Sequence, residues 1–284
     1  MPRRARIALS GAAACVALLA VTWYAAHYIG FVRRADVSIL LGFAQLDRPG
    51  VDRLTTFIAG LCDPQRYVFL AAVPIVIALI RRRPRVAAMI AVVLLGANET
   101  TQLLKPLLAA PRDLVYWKPI GTASWPSGHS TAAMSLALCM VVAAPPRRRP
   151  AVAAAMAAFA IAVSYSFLEL GWHYPSDVFG GFLIAATWTL LGVGVLSLVE
   201  ARRAGGAIEP VRSRAASLSV GATLAPVGTL LAAIGLLVAL IALARPHPVI
   251  AYARDHAAFV IGACSIGALG LMLAAGLSLM LRRS

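Results

Sequence analysis

Gly171-Trp172-His173-Tyr174-Pro175-Ser176-Asp177 leads directly into Val178–Val199, a run with no charged side chain that is long enough to cross the hydrocarbon of a bilayer. This juncture decides the fold, because a short polar turn carrying ionisable groups opens a membrane-length helix. Pro175 and Ser176 suit a helix start: proline's fixed φ fits the first turn and serine caps free amides. His173 and Asp177 are four apart, so the carboxylate can accept the proton of one imidazole nitrogen and leave the other free as a nucleophile. A plain helix cap beside an aromatic-belt residue is the other reading of the same turn.

The same pattern recurs along the chain. Its 284 residues are 61% hydrophobic and 13% charged, with a mean hydropathy of +0.83, which excludes an ordinary soluble domain. At about 20 residues per crossing, about eight spans are expected. They are Ile7–Gly30, Tyr67–Ile80, Val86–Leu104, Ser127–Ala144, Ala151–Leu170, Val178–Val199, Ser219–Ala244 and Ala257–Leu281. Between the first two, Phe31–Arg66 mixes apolar residues with Asp and Arg and reads as interfacial helices. The fold class is therefore all-α: a polytopic membrane protein with a six-span core and two extra C-terminal spans. Residues 1–200 form the core that holds every motif, 201–217 a cytoplasmic linker, and 218–284 a two-span appendage.

The net charge of +15 does not point to nucleic acid, because the basic residues sit in short clusters between apolar runs. Arg3-Arg4-Arg6, Arg81-Arg82-Arg83-Arg85, Arg147-Arg148-Arg149, Arg202-Arg203-Arg212-Arg214 and Arg282-Arg283 all fall on one side if the amino terminus is cytoplasmic. That is the positive-inside pattern. It puts both termini in the cytoplasm and the motifs on the outer face, with a bacterial plasma membrane as the expected location. Met1–Arg6 followed by an apolar run and Ala25-Ala26 also fits a cleaved signal peptide, which leaves the remaining topology unchanged. Cys15, Cys62, Cys139 and Cys264 are scattered and read as small core residues.

Two further stretches carry chemistry. Leu103-Leu104-Lys105-Pro106 ends the third span, since a residue before proline is pushed out of the helical region and leaves Lys105 at the water boundary. Arg112, after Pro111, can bind two phosphate oxygens at once while Lys105 acts as a point charge. Interfacial snorkelling suits the same two cations taken alone. Ser124-Trp125-Pro126-Ser127-Gly128-His129-Ser130 opens the fourth span, so the amides of Ser127, Gly128 and His129 stand as unpaired donors, a cradle for an anion. Gly128 permits close approach and His129 is placed to pass a proton to an ester oxygen. A capped helix with an interfacial histidine is the plainer alternative. Metal binding by His129, His173 and Asp177 lacks the compact spacing of zinc sites. Glu99 reads either as a partner of a site cation or as a hydrogen-bonding member of Asn98-Glu99-Thr100-Thr101, and Glu169 sits near an outer span end. Gly180, Gly181, Gly192 and Gly194 permit close packing within the molecule.

In their order, and on one side of the membrane, the three stretches resemble the type-2 phosphatidic acid phosphatase superfamily. Lys105 and Arg112 match its first motif with the correct gap, Pro126 to His129 match the second in full, and His173 and Asp177 match the third. Two positions depart from the pattern: Phe167 stands where the family has arginine, next to the matching Ser166, and Asp113 stands where it has proline, with Arg112 and Lys118 close enough in sequence to neutralise it. One phosphate ligand is thereby lost, which typically costs about 10² to 10³ in rate.

The resemblance implies a metal-independent hydrolase with no cofactor, working through a phosphohistidine. His173 attacks phosphorus, Asp177 steadies it, and His129 protonates the leaving oxygen and then activates water, while Lys105, Arg112, Ser127 and Gly128 hold the phosphate. The expected partner is a lipid phosphate or diphosphate within the bilayer, such as phosphatidate, phosphatidylglycerol phosphate or a prenyl diphosphate. No nucleic acid is expected and no oligomeric state is assigned. Phosphate transfer to an alcohol through the same histidine is one alternative, and binding without turnover, suggested by Phe167 and Asp113, is the other.

Overall fold

The computed structural model describes residues 1–46, 48–112, 120–203, 234–235, 237–242, 244 and 249–282. Asp113 and Lys118, most of the linker with Arg212 and Arg214, Arg283, and the greater part of the expected seventh span lie outside the described residues. Among the described residues, the regular elements are helices: α1 (Arg3–Tyr28), α2 (Gly30–Ala44), α3 (Pro49–Ala59), a 3₁₀ turn (Gly60–Cys62), α4 (Pro64–Ile80), α5 (Pro84–Leu107), α6 (Gly128–Ala143), α7 (Arg149–Glu169), α8 (Pro175–Arg203), α9 (Val249–Asp255) and α10 (Ala257–Met280).

Five of these, α1, α5, α7, α8 and α10, are long and apolar enough to cross a membrane, and the pair Pro49–Cys62 and Pro64–Ile80, bent by 59°, makes a sixth if counted as one span. The expected count of eight is not reached among the described residues, from which most of the expected seventh span is missing. Part of the shortfall is α6: at 16 residues it reaches only about 24 Å. Its sides are almost wholly covered, because α4, α5, α7, α8 and α10 surround it. The expected interfacial segment does divide into two separate short helices, α2 and α3.

A second correction concerns Lys105. The helix does not stop before Pro106; α5 runs through it to Leu107, and Leu108 donates its amide to the carbonyl of Leu104 at 2.9 Å. A proline in the last turn forfeits a single hydrogen bond, so continuing the helix costs little there. Lys105 thus sits in the final turn, where a cation is favoured by the helix dipole.

Glycine sets how closely α8 approaches its neighbours. A Cβ on Gly181 would stand 2.7 Å from the carbonyl oxygen of Ser127 and 2.9 Å from the amide of Thr131, so α8 lies against the first turn of α6. On α5, a Cβ on Gly96 would meet the Trp188 ring at 2.6 Å. The close packing expected of Gly180, Gly181, Gly192 and Gly194 is made within the chain.

The final helix, from the stretch read as an appendage, packs on α2, α6, α7 and α8. Phe259 meets Phe43 edge-on at 4.7 Å, and the Tyr165 hydroxyl donates to the carbonyl of Ala263 at 2.8 Å.

Candidate active site

The start of α8 holds Asp177 fully buried, and three groups converge on its carboxylate. Arg112 donates from Nη2 to Oδ1 at 2.6 Å, His173 Nδ1 lies 3.1 Å from Oδ2, and the amide of Tyr174 donates to Oδ2 at 3.1 Å. An acceptor-only carboxylate opposite Nδ1 places the His173 proton on that nitrogen, so Nε2 keeps its lone pair. The backbone carbonyl of Asp177 accepts from the amide of Ser127 at 3.0 Å, which ties the start of α8 to the start of α6.

That bond corrects the expected anion cradle. The Ser127 amide is not free, and its hydroxyl accepts from the amide of Ser130 at 3.3 Å as the helix cap. A fully buried serine between two helices spends its hydrogen bonds on the packing. Gly128 and His129 supply the first amides of the helix, and Lys105 and Gln102 face the bare side of Gly128, at 3.9 Å and 3.5 Å from where a Cβ would stand.

Arg112 is more enclosed than a free phosphate ligand. Its Nε donates to His27 Nε2 at 3.2 Å, Nη1 donates to Ser176 Oγ at 2.9 Å and lies 3.5 Å from Asp36 Oδ2, and its guanidinium stacks 4.8 Å above the Tyr174 ring. His27 in turn donates from Nδ1 to the carbonyl of Trp23 at 2.8 Å, the tautomer that lets Nε2 accept from Arg112. Asp36 also accepts from the amide of Ser176 at 3.0 Å and from its hydroxyl. Burial pushes the Asp36 carboxyl up to about 6, against the opposing pull of Ser176 and Arg112. Asp36 and His27 are missing from the motif-based set. Their signal was available: an ionisable side chain within an apolar helix is costly unless it is paired or functional.

His129 opens α6 with Nε2 3.2 Å from Asp63 Oδ1, at the break between the 3₁₀ turn and α4. An acceptor there puts the proton on Nε2. Phe167, fully buried, fills the space between the histidines, with ring centroids 5.2 Å from His173 and 6.0 Å from His129, and Trp172 flanks His129 at 5.6 Å. The site is aromatic where the resembled pattern has a cation.

Lys105, Gly128 and His129 stand at one end of a cavity of about 650 Å³ whose remaining walls are mostly apolar residues of α4 and α5, among them Val68, Ile75 and Leu95. Glu99 lines it as well. Asn98 bonds to the carbonyl of Leu94, Thr101 to Thr131, and Thr100 accepts from Trp188, whereas Glu99 makes no hydrogen bond among the described residues, against its reading as a hydrogen-bonding member of that group. Glu169 is the buried carboxylate of the pair, accepting from Thr55 at 2.7 Å. Among the described residues no three His, Cys, Asp or Glu side chains gather as around a metal ion.

Residues 86–199 match the PAP2 superfamily, the family that the motifs resemble. A solved structure of similar fold is described as the first transmembrane PAP2 type phosphatidylglycerolphosphate phosphatase, from Bacillus subtilis. The match has a TM-score of 0.56 and 20% identity and covers 66% of this chain and 97% of that one. At that identity the likeness is one of fold. No curated protein matches the sequence.

Proposed function

From the premise that the chain carries a PAP2 superfamily core, we propose that it is an integral membrane phosphatase that cleaves a lipid phosphate or diphosphate through a phosphohistidine. One arrangement carries the reading: Lys105, Gly128 and His129 head a largely apolar cavity, and the His173–Asp177 pair stands beside them across the Phe167 ring. An acyl or prenyl tail fits the apolar walls while the phosphate meets the cation and the helix start.

In the first step Nε2 of His173 attacks phosphorus, the P–N bond forms, and the P–O bond to the lipid breaks. His129, entering the step as the imidazolium with Asp63 as its counter-charge, gives its Nε2 proton to the departing oxygen and is left neutral, and Asp177 balances the imidazolium that develops on His173. In the second step His129 takes a proton from water, whose oxygen displaces His173 and releases phosphate. Lys105 and the Gly128 and His129 amides hold the phosphoryl oxygens, while Arg112 acts mainly by fixing Asp177. With the arginine-rich helix ends in the cytoplasm, the site opens on the outer face.

The test is phosphate release by the purified protein, without divalent metal, from phosphatidate, phosphatidylglycerol phosphate and a prenyl diphosphate, beside His173→Ala and Phe167→Arg. Release that vanishes in His173→Ala is the expected result. Undiminished release by His173→Ala removes the mechanism. No release from any lipid, even by Phe167→Arg, favours transfer to an alcohol or binding alone.

A further inference from the structure

At the end of the bundle away from His173, a second cluster of charge is not balanced. Arg4 from the start of α1, Arg83 capping α5, Arg149 opening α7 and Glu200 near the end of α8 line one small polar cavity, closed on another side by Leu281. The length of α5, 24 residues or about 36 Å, separates it from Lys105. Arg81 and Arg282 lie within electrostatic range of Arg149 as well. Among the described residues this makes five guanidinium groups around one carboxylate, and none of the ion pairs found in the molecule joins them.

A cytoplasmic loop rich in arginine explains solvated cations, but not these. Arg149 is only 6% exposed; Nη1 donates to the carbonyl of Leu281 at 2.8 Å, while its Nε is buried with no hydrogen-bond partner. The Nε of Arg4 is buried in the same state. Buried donors are almost always paired, and buried charge is paired or bound to something. Two orphaned guanidinium donors, in residues that line a cavity with excess positive charge, have the chemistry that an anion would satisfy.

We propose that this end of the molecule binds a phosphate group, held by Arg4, Arg83 and Arg149, at a site separate from the catalytic one. The guanidinium fork matches phosphate oxygens, and phosphate is the abundant anion at a membrane surface. The cavity, about 20 Å³, admits a single oxygen, so the phosphate caps the mouth and the rest of the ligand stays outside. An anionic lipid headgroup and free phosphate share this chemistry. Glu200 sits on the rim and opposes either one.

The test uses the full-length protein carrying Lys105→Ala, so that phosphate binding at the catalytic end is weakened and the arginine variants report the other end. Its thermal unfolding midpoint is followed in detergent against inorganic phosphate, and in phosphatidylcholine nanodiscs against increasing phosphatidylglycerol. Saturable stabilisation is expected in at least one series. Adding Arg4→Gln and Arg83→Gln, both only partly buried, raises the half-saturation point by roughly tenfold or more, as loss of charge-assisted bonds does. Adding Glu200→Gln, an exposed position, lowers it instead. Saturation by the lipid alone identifies a headgroup site, and saturation by inorganic phosphate identifies a free-anion site. Equal half-saturation in parent and double arginine variant, or saturation in neither series, overturns the proposal.

Discussion

The two ends of the bundle handle buried charge in opposite ways. At the end that holds the candidate active site one guanidinium, Arg112, is enclosed by Asp177 and Asp36 and by His27 and Ser176, and each of its nitrogens is engaged. At the other end, among the described residues, five arginines surround one exposed glutamate, and two buried Nε atoms stand without partners. Charge satisfied inside the fold serves to orient its neighbours, as Arg112 does for Asp177 and Asp177 for His173. Charge left unsatisfied is where the two proposed ligands would bind, and Lys105, with no ion pair among the described residues, lines the apolar cavity in the same way.

The largest effect that separates the two ends is on turnover. In the proposed mechanism His173 forms the P–N bond, so His173→Ala is expected to lower phosphate release by roughly 10⁴-fold or more and to leave anion binding by the arginine end unchanged. Arg112→Ala comes next. It strands Asp36 and Asp177 without their cation, for a loss of about 3–5 kcal/mol read from unfolding in detergent. Combining it with Asp36→Asn should recover part of that loss, and no recovery would show that the guanidinium acts through Asp177 alone.

Gly181→Ala tests the packing that joins α8 to α6. The added methyl meets the Ser127 carbonyl and Thr131 amide, backbone atoms that cannot swing away, so about 1–3 kcal/mol of stability is lost together with turnover. A neutral result would mean that α8 has room to shift.

Asp36 sharpens the contrast through pH. Its carboxyl titrates at about 6 in the folded protein, above its ordinary 3.8, so the native state holds that proton more tightly than the unfolded chain does. Its contribution is therefore unfavourable above about pH 6 and is relieved as pH falls toward 4. Wild type should gain stability relative to Asp36→Asn between pH 7 and pH 4.5, and a difference independent of pH would refute the assignment. The smallest effect is expected from Asp63→Asn. The Asp63–His129 pair is half-exposed at Asp63, and such pairs contribute about 0–1 kcal/mol, so kcat should fall by no more than about fivefold.

Much of this is legible in the sequence. Val178–Val199 and Ala257–Leu281 announce themselves as spans by apolar length, and they appear as α8 and α10 within a few residues. His173 and Asp177 declare their pairing by a four-residue separation at a helix start, which brings them to 3.1 Å. The boundary at Pro106 was misread because the proline rule is local, while the cost of one lost hydrogen bond depends on how near the helix end is. The free amide of Ser127 was misread because its acceptor, the Asp177 carbonyl, lies fifty residues onward in the chain.

Composition and periodicity determined that this chain lies in a membrane, that its helices begin and end where polar clusters interrupt apolar runs, and which side chains could handle phosphate. These depend on neighbours in sequence and on the solvent around a segment. Only the tertiary structure decided that Asp36 and His27 enclose Arg112, that Phe167 separates the two histidines, and that Arg4, Arg83 and Arg149 converge with buried donors left over. Each of those facts is a meeting of residues far apart in the chain, and burial changes the cost of a charge only after the helices have packed.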